Sequence, residues 1–192
     1  MHVLIIGTTG SGKTSLATLL ASKYASKARV IVYDPFLDKR WPAGENVEVL
    51  SDWEKFQAVV RANNGSVVFI DESAETVSHA QRKSWWLATQ SRHYGCVVHF
   101  IAQRYQQLPP TVRDQCSEIF VFRLSRRDAE LASEEFCTDE LLEAERFQRF
   151  EFARANRFGS CGFFRIVYGR VEDNGDASRF ATIRSNRVAH LQ

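Results

Sequence analysis

The segment Gly7-Thr8-Thr9-Gly10-Ser11-Gly12-Lys13-Thr14 directly follows the apolar run Val3-Leu4-Ile5-Ile6 and fits the pattern G-x-x-x-x-G-K-[ST]. No other feature constrains the fold as strongly. A strand that runs into such a loop belongs to a layered α/β sheet, because the loop functions only with a helix N-terminus behind it. The glycines let successive backbone N–H groups turn inward around phosphates. Lys13 then neutralises β/γ-phosphate charge, and the Thr14 hydroxyl is placed for Mg²⁺. The expected ligand is a nucleoside triphosphate, taken as ATP, with its Mg²⁺.

A second acidic element closes another apolar run. Ser66-Val67-Val68-Phe69-Ile70 reads as a parallel strand buried on both faces, and it ends in Asp71-Glu72. There Asp71 is expected to hold the Mg²⁺ shell, and Glu72 to polarise a water for in-line attack on the γ-phosphate. The adjacency of the two acids argues for water as the acceptor, and so for hydrolysis.

Strands and helices alternate along the chain, which predicts a mostly parallel sheet with helices on both faces. Strands are expected over 3–6, 30–33, 47–50, 66–70, 96–102 and 119–124. Helices are expected over 15–24, from Trp53 onward behind a Ser51 or Asp52 cap, over 80–93, and to Phe136 behind Ser125-Arg126-Arg127-Asp128. Thr138 is expected to cap one more, ending near Phe147. Past Leu141 the character changes. Phe163 to Val171 and Phe180 to Ile183 read as a hairpin around Asp173-Asn174-Gly175-Asp176. The expected division is a core over 1–140 and a short β appendage with a tail over 141–192.

A chain of 192 residues with 44% hydrophobic content can bury one α/β core and has little room for a second domain. Its net charge of +2 does not call for a nucleic-acid partner, so that inference must rest on where the arginines lie. Cys96, Cys116, Cys137 and Cys161 form no C-x-x-C pair and read as reduced structural thiols. His79, His93 and His99 lack ligand spacing and read as structural. Met1-His2 runs straight into the first strand, and no apolar stretch approaches the roughly 18 residues of a membrane span. Neither a signal peptide nor a spanning helix is expected, and the expected location is cytoplasmic.

Gln103 ends the strand that follows the Asp71-Glu72 strand. A neutral amide there can hydrogen-bond both the γ-phosphate and the attacking water, and report hydrolysis to the loop beyond. Arg92, in Ser91-Arg92-His93-Tyr94-Gly95, and Arg113, in Thr111-Val112-Arg113-Asp114, are expected near the phosphate-bearing edge of the sheet or a neighbouring subunit. Either is a candidate arginine finger, with Arg104 a third.

Taken together, Gly7 to Thr14, Val67 to Glu72, Arg92-His93-Tyr94-Gly95 before Ile101-Ala102-Gln103-Arg104, and Ile119 to Leu124 resemble the FtsK/HerA superfamily. Small size and short connections are most similar to its genome-packaging ATPases of double-stranded DNA viruses. The resemblance spans roughly Met1 to Phe136. It implies a RecA-like core with an additional strand and a catalytic Glu, assembled as a ring around DNA. In such proteins the acid pair, the strand-end glutamine and a trans arginine play the parts given above to Asp71 and Glu72, to Gln103, and to Arg92 or Arg113. The region from Leu141 to Gln192 departs from the pattern.

The function expected on this basis is an ATP-driven motor that packages double-stranded viral DNA into a preformed capsid. The expected partners are DNA, further copies of the chain in a pentameric or hexameric ring, and a capsid vertex or portal protein, which would make the chain virion-associated at that vertex. DNA contact is expected along the loop from Arg104 to Arg113 and the arginine-rich end. There Arg146, Arg149, Arg154, Arg157, Arg165, Arg170, Arg179, Arg184 and Arg187 outnumber the acids. Two alternatives stay open: another DNA translocase or phage-export ATPase of the same superfamily, and a small-molecule P-loop kinase.

Overall fold

A computed structural model describes residues 2–77, 82–173 and 176–185, with backbone alone at 83, 169–173 and 176–180. Among the described residues, nine strands form one sheet in the order β3-β2-β4-β5-β1-β6-β7-β8-β9. These are β1 (His2–Ile6), β2 (Val30–Tyr33), β3 (Val47–Leu50), β4 (Val67–Ile70), β5 (Val97–Ala102), β6 (Cys116–Val121), β7 (Glu151–Asn156), β8 (Ser160–Asp173) and β9 (Asp176–Ser185). β1 through β6 pair in parallel, and β7, β8 and β9 continue the sheet antiparallel from β6. The additional strand is β5, which separates β1 from β4.

The central strands are apolar on both faces because both faces are covered. Successive side chains alternate between the two layers: Leu4 and Ile6 with Val68 and Ile70 on one side, Val3 and Ile5 with Val67 and Phe69 on the other. The helices are α1 (Lys13–Ala25), α2 (Trp53–Ala62), α3 (Ser73–Thr76), α4 (Trp86–Thr89), α5 (Pro110–Arg113) and α6 (Arg126–Phe136). α1 covers the second layer through Leu16, Ala17 and Ala21. α2 covers the first through Phe56 and Val60, and its cap is Asp52, which accepts from the Lys55 N–H at 2.8 Å.

Several expectations are corrected by tertiary contacts. The helix expected over 80–93 is broken into α4 and 3₁₀ turns at Arg82–Ser84 and Ser91–Tyr94. The Ser91 hydroxyl donates to the Leu87 carbonyl at 2.6 Å, a bond that competes with the helical ladder, and Gly95 at φ 73° ends the segment. His79, at the start of that stretch, lies outside the described residues. The strand expected to reach Leu124 stops at Val121 because the next residues serve the phosphate loop: the Arg123 carbonyl accepts from the Thr8 N–H at 2.9 Å. The helix expected after Thr138 is a 3₁₀ turn over Asp139–Glu145. β7 was not expected at all. Through it the strands beyond residue 140 join the same sheet as the core.

His99 is fully buried and stacked on Phe69 at 4.3 Å between centroids, and desolvation holds its imidazole down at about 3, as befits a core side chain. Among the described residues no helix is long and apolar enough to cross a membrane.

Candidate active site

Because β1, β4 and β5 run parallel, the residues that follow them emerge at one edge of the sheet: Gly7 after β1, Asp71 after β4 and Gln103 after β5. This is the edge where open α/β sheets bind ligands. The loop from Gly7 to Gly12 is held there by backbone bonds, with the Gly7 N–H on the Ala102 carbonyl at 3.3 Å and the Ser11 N–H on the Thr8 carbonyl at 3.2 Å. A Cβ on Gly7 would sit 2.5 Å from Phe122 Cβ, and Gly12 adopts φ 122°, so both positions need glycine. Among the described residues no side chain caps the N-terminus of α1. Its first N–H groups are left free for an anion, in line with the loop's expected role.

A cavity of about 230 Å³ opens over this loop. Thr9, Gly10, Gly12, Lys13, Thr14, Asp71, Glu72 and Gln103 all line it, so the structure brings together most of the residues expected to bind the phosphates, the metal and the water; Gly7, Thr8 and Ser11 of the same loop are not in its lining. Lys13 Nζ donates to the Thr8 carbonyl at 3.1 Å. Burial pushes its ammonium below the ordinary lysine value, while Asp71 and Glu72 pull it back up. Burial likewise pushes the Asp71 carboxyl up to about 6, against the Glu72 N–H bond at 3.0 Å and the Lys13 charge, which favour ionisation. A mostly buried carboxylate that lines the same cavity as the Thr14 hydroxyl suits a divalent cation, which would repay the cost of ionising Asp71.

Glu72 sits at φ 52° and ψ 41°, a left-handed conformation that a non-glycine residue holds only under tertiary constraint. Two contacts orient the segment. The Ser73 hydroxyl donates to the Ile70 carbonyl at 2.6 Å and accepts from the Ile101 N–H at 2.9 Å, tying the end of β4 to β5. Gln103 joins the loop to the acid: its Oε1 accepts from the Thr9 hydroxyl at 3.1 Å, and its Nε2 lies 3.5 Å from Glu72 Oε1.

Of the two places expected for Arg92 and Arg113, the phosphate edge of their own chain is not where they lie. Arg92 and Arg113 precede β5 and β6, so the parallel sheet puts them at the edge opposite the phosphate loop. Arg113 is a buried structural group, paired with Glu135 at 2.8 Å and lying over the Tyr105 ring at 4.8 Å. Arg92 is exposed and has no carboxylate partner among the described residues. Arg104 is at the correct edge but is tethered to the buried Asp128 at 3.3 Å.

Two arginines that were not expected at the site line the cavity, Arg40 and Arg149, together with Phe150. Arg40 is placed by the loop after β2, which folds around buried Asp34: its carboxylate accepts from the Phe36 and Asp38 N–H groups and from Trp41 Nε1. The Asx-type spacing from Asp34 to Trp41 is visible in the sequence, but its direction toward the cavity is not.

The arginine-rich end also divides. Arg154 pairs with Glu118, Arg165 with Glu151, and Arg157 donates to the Cys116, Glu135 and Arg113 carbonyls. Arg184 is exposed on β9, directly across from Arg165. The side chains of Arg170 and Arg179 and all of Arg187 lie outside the described residues.

Comparison with known proteins agrees with this geometry. The family described as the central domain of helicase HerA (DUF87) matches residues 1–55. No curated protein sequence matches significantly. The DNA-packaging ATPase B204 from Sulfolobus Turreted Icosahedral Virus superposes with TM-score 0.70 at 19% identity, over 84% of this chain and 95% of that one. The pCW3 conjugation coupling protein TcpA, in a form with ATPgS, gives 0.57 at 13%, over 93% of this chain and 59% of that one. The cytoplasmic domain of the Type VII secretion ATPase EccC from Thermomonospora curvata gives 0.66 at 14%, over 92% and 26%. The first 55 residues thus match the HerA central-domain family, and over most of its length the chain shares the fold of these P-loop NTPases.

Proposed function

We propose that the chain is a Mg²⁺-dependent ATPase that drives double-stranded DNA, in the manner of a viral genome-packaging motor. The observation that carries the catalytic half is the Thr9–Gln103–Glu72 contact chain, which ties the phosphate loop to a carboxylate able to act on water. In this reading Lys13 and the loop N–H groups hold the β- and γ-phosphates, and Thr14 and Asp71 hold Mg²⁺. A Mg²⁺ held by these two residues would supply charge neutralisation for the transferred phosphoryl group. Glu72 accepts a proton from water as it attacks in line, and Gln103 orients that water and senses the loss of the γ-phosphate through Thr9.

The DNA half rests on the fold likeness to B204 and on position. Arg184 is exposed on β9 with no carboxylate partner among the described residues, whereas Arg165 across from it is already held by Glu151, so the Arg184 charge is the one open to a phosphate. A track of any sequence calls for phosphate contacts and not base readout. Arg92, exposed at the edge remote from its own loop, is suited to act only on a neighbour's nucleotide, which fits a ring of copies docked at a capsid vertex or portal. In that setting the chain works in the host cytoplasm or on the virion. ATP hydrolysis measured with and without double-stranded DNA, alongside light scattering, tests the reading. DNA-stimulated turnover in a large oligomer is expected. Phosphorylation of a small-molecule acceptor without DNA stimulation would overturn it in favour of a kinase.

A further inference from the structure

The turn before β7 is built into the phosphate loop. The Phe150 N–H donates to the Ser11 carbonyl at 2.8 Å, and the Phe150 carbonyl accepts from the Ile166 N–H of β8 at 3.0 Å. The Phe150 ring packs so closely on the loop that a Cβ at Gly12 would lie 2.8 Å from its Cδ1. Phe150 holds φ 69°, an uncommon conformation for an aromatic residue, and the two backbone bonds keep it there. This places Arg149 at the cavity wall with its guanidinium 4.7 Å from the Phe150 ring centroid.

Arg149 differs from its neighbours in having no carboxylate partner among the described residues. Arg40, Arg146, Arg154 and Arg165 are each paired, with Asp38, Glu143, Glu118 and Glu151. A guanidinium held over a ring face, unpaired and facing a phosphate-binding cavity, is a ready ligand for an oxyanion.

The sheet order says which part of the nucleotide it meets. Glu72 and Gln103 follow β4 and β5, on one side of β1, whereas the Phe150 turn leads into β7, on the other side beyond β6. The attacked phosphate lies toward Glu72, so the opposite wall faces the part that remains in ADP. We infer that Arg149 is a nucleotide-binding residue acting within its own chain on the phosphates retained after hydrolysis. The inference rests on the ATPase reading above. An interaction made equally with substrate, transition state and product affects KM and leaves kcat alone.

The test uses the full chain with Mg²⁺ and compares Arg149→Ala and Arg149→Lys with the native protein. Equilibrium binding of ADP and ATP is measured beside kcat and KM. Arg149→Ala is expected to weaken ADP and ATP binding by the same factor, about tenfold, as befits the loss of one charge-assisted contact. KM should rise in step, kcat should stay within about twofold, and Arg149→Lys should recover part of the loss. Arg126→Ala, at an exposed residue outside the cavity and paired with Glu130, should change neither affinity. Unchanged ADP affinity in Arg149→Ala, or a fall in kcat at constant KM, would overturn the inference. ADP binding is read without turnover, so a chain that binds ADP through Arg149 yet hydrolyses nothing would refute the ATPase reading and leave this one standing.

Discussion

Asp71 is the residue at which the site's function works against the stability of the fold, and Asp71→Asn makes that conflict measurable. Burial raises its carboxyl from 3.8 to about 6. An acid whose folded value lies above its unfolded value is harder to ionise in the folded state, so stability falls as pH rises from about 4 to about 6 and stays lowered above that. At 1.36 kcal/mol per pH unit, the shift corresponds to roughly 3 kcal/mol at pH 8. Asparagine keeps an oxygen for the Glu72 N–H and removes the charge. At about 2 to 4 °C per kcal/mol for a chain of this size, Asp71→Asn should melt roughly 6 to 12 °C above the native protein in EDTA at pH 8. The gain should shrink to roughly a third by pH 4.5, where the folded carboxyl is neutral but the unfolded one is still mostly ionised. Added Mg²⁺ with ADP should raise the melting temperature of the native protein by more than that of the variant, which keeps the phosphate loop but loses the metal carboxylate. Thermal unfolding across this pH range is the assay. A variant no more stable than the native chain at pH 8, or a gain that does not depend on pH, would refute the account of Asp71 as a desolvated carboxylate reserved for a cation.

Three further outcomes follow from the same geometry. Mixing Arg92→Ala with Lys13→Ala protein should restore some hydrolysis that neither shows alone, since a trans arginine contributes about 10³ to 10⁵ in rate; absence of recovery at any ratio counts against Arg92. Arg184→Ala should lower affinity for double-stranded DNA and flatten the slope of log affinity against log salt by about 0.9, with ATP affinity unchanged, as read by anisotropy titrations at several salt concentrations. Gly12→Ala should abolish ADP binding and lower the melting temperature, because the new Cβ meets Phe150 at 2.8 Å and the backbone is at φ 122°; calorimetric titration and a melting curve check both.

The phosphate loop and the Asp71-Glu72 strand were legible in the sequence because each is a local pattern whose chemistry is carried by neighbouring residues. Gln103 was legible because a residue that follows a buried parallel strand has only one edge at which to emerge. The same rule, applied to residues that precede strands, sends Arg92 and Arg113 to the far edge, and the pairing of Arg113 with Glu135 adds a contact that no spacing announces. β7 was hidden by its composition: Ala153, Arg154, Ala155 and Asn156 are weak strand formers, and the segment is a strand because β6 and β8 pair with it on either side. Missing β7 also hid Arg149 and Phe150. Their approach to Ser11 and Gly12 is fixed by that pairing and not by any local signal.

The central claim is that Glu72 acts on water while the loop binds nucleotide. It is tested most directly by measuring ATP affinity and steady-state ATP turnover of Glu72→Gln on the same preparation, in the presence of double-stranded DNA. The glutamine is isosteric but cannot accept the proton, so the account predicts ATP affinity within about threefold of the native chain and turnover reduced by about 10² to 10⁴. Turnover at the native rate would contradict it.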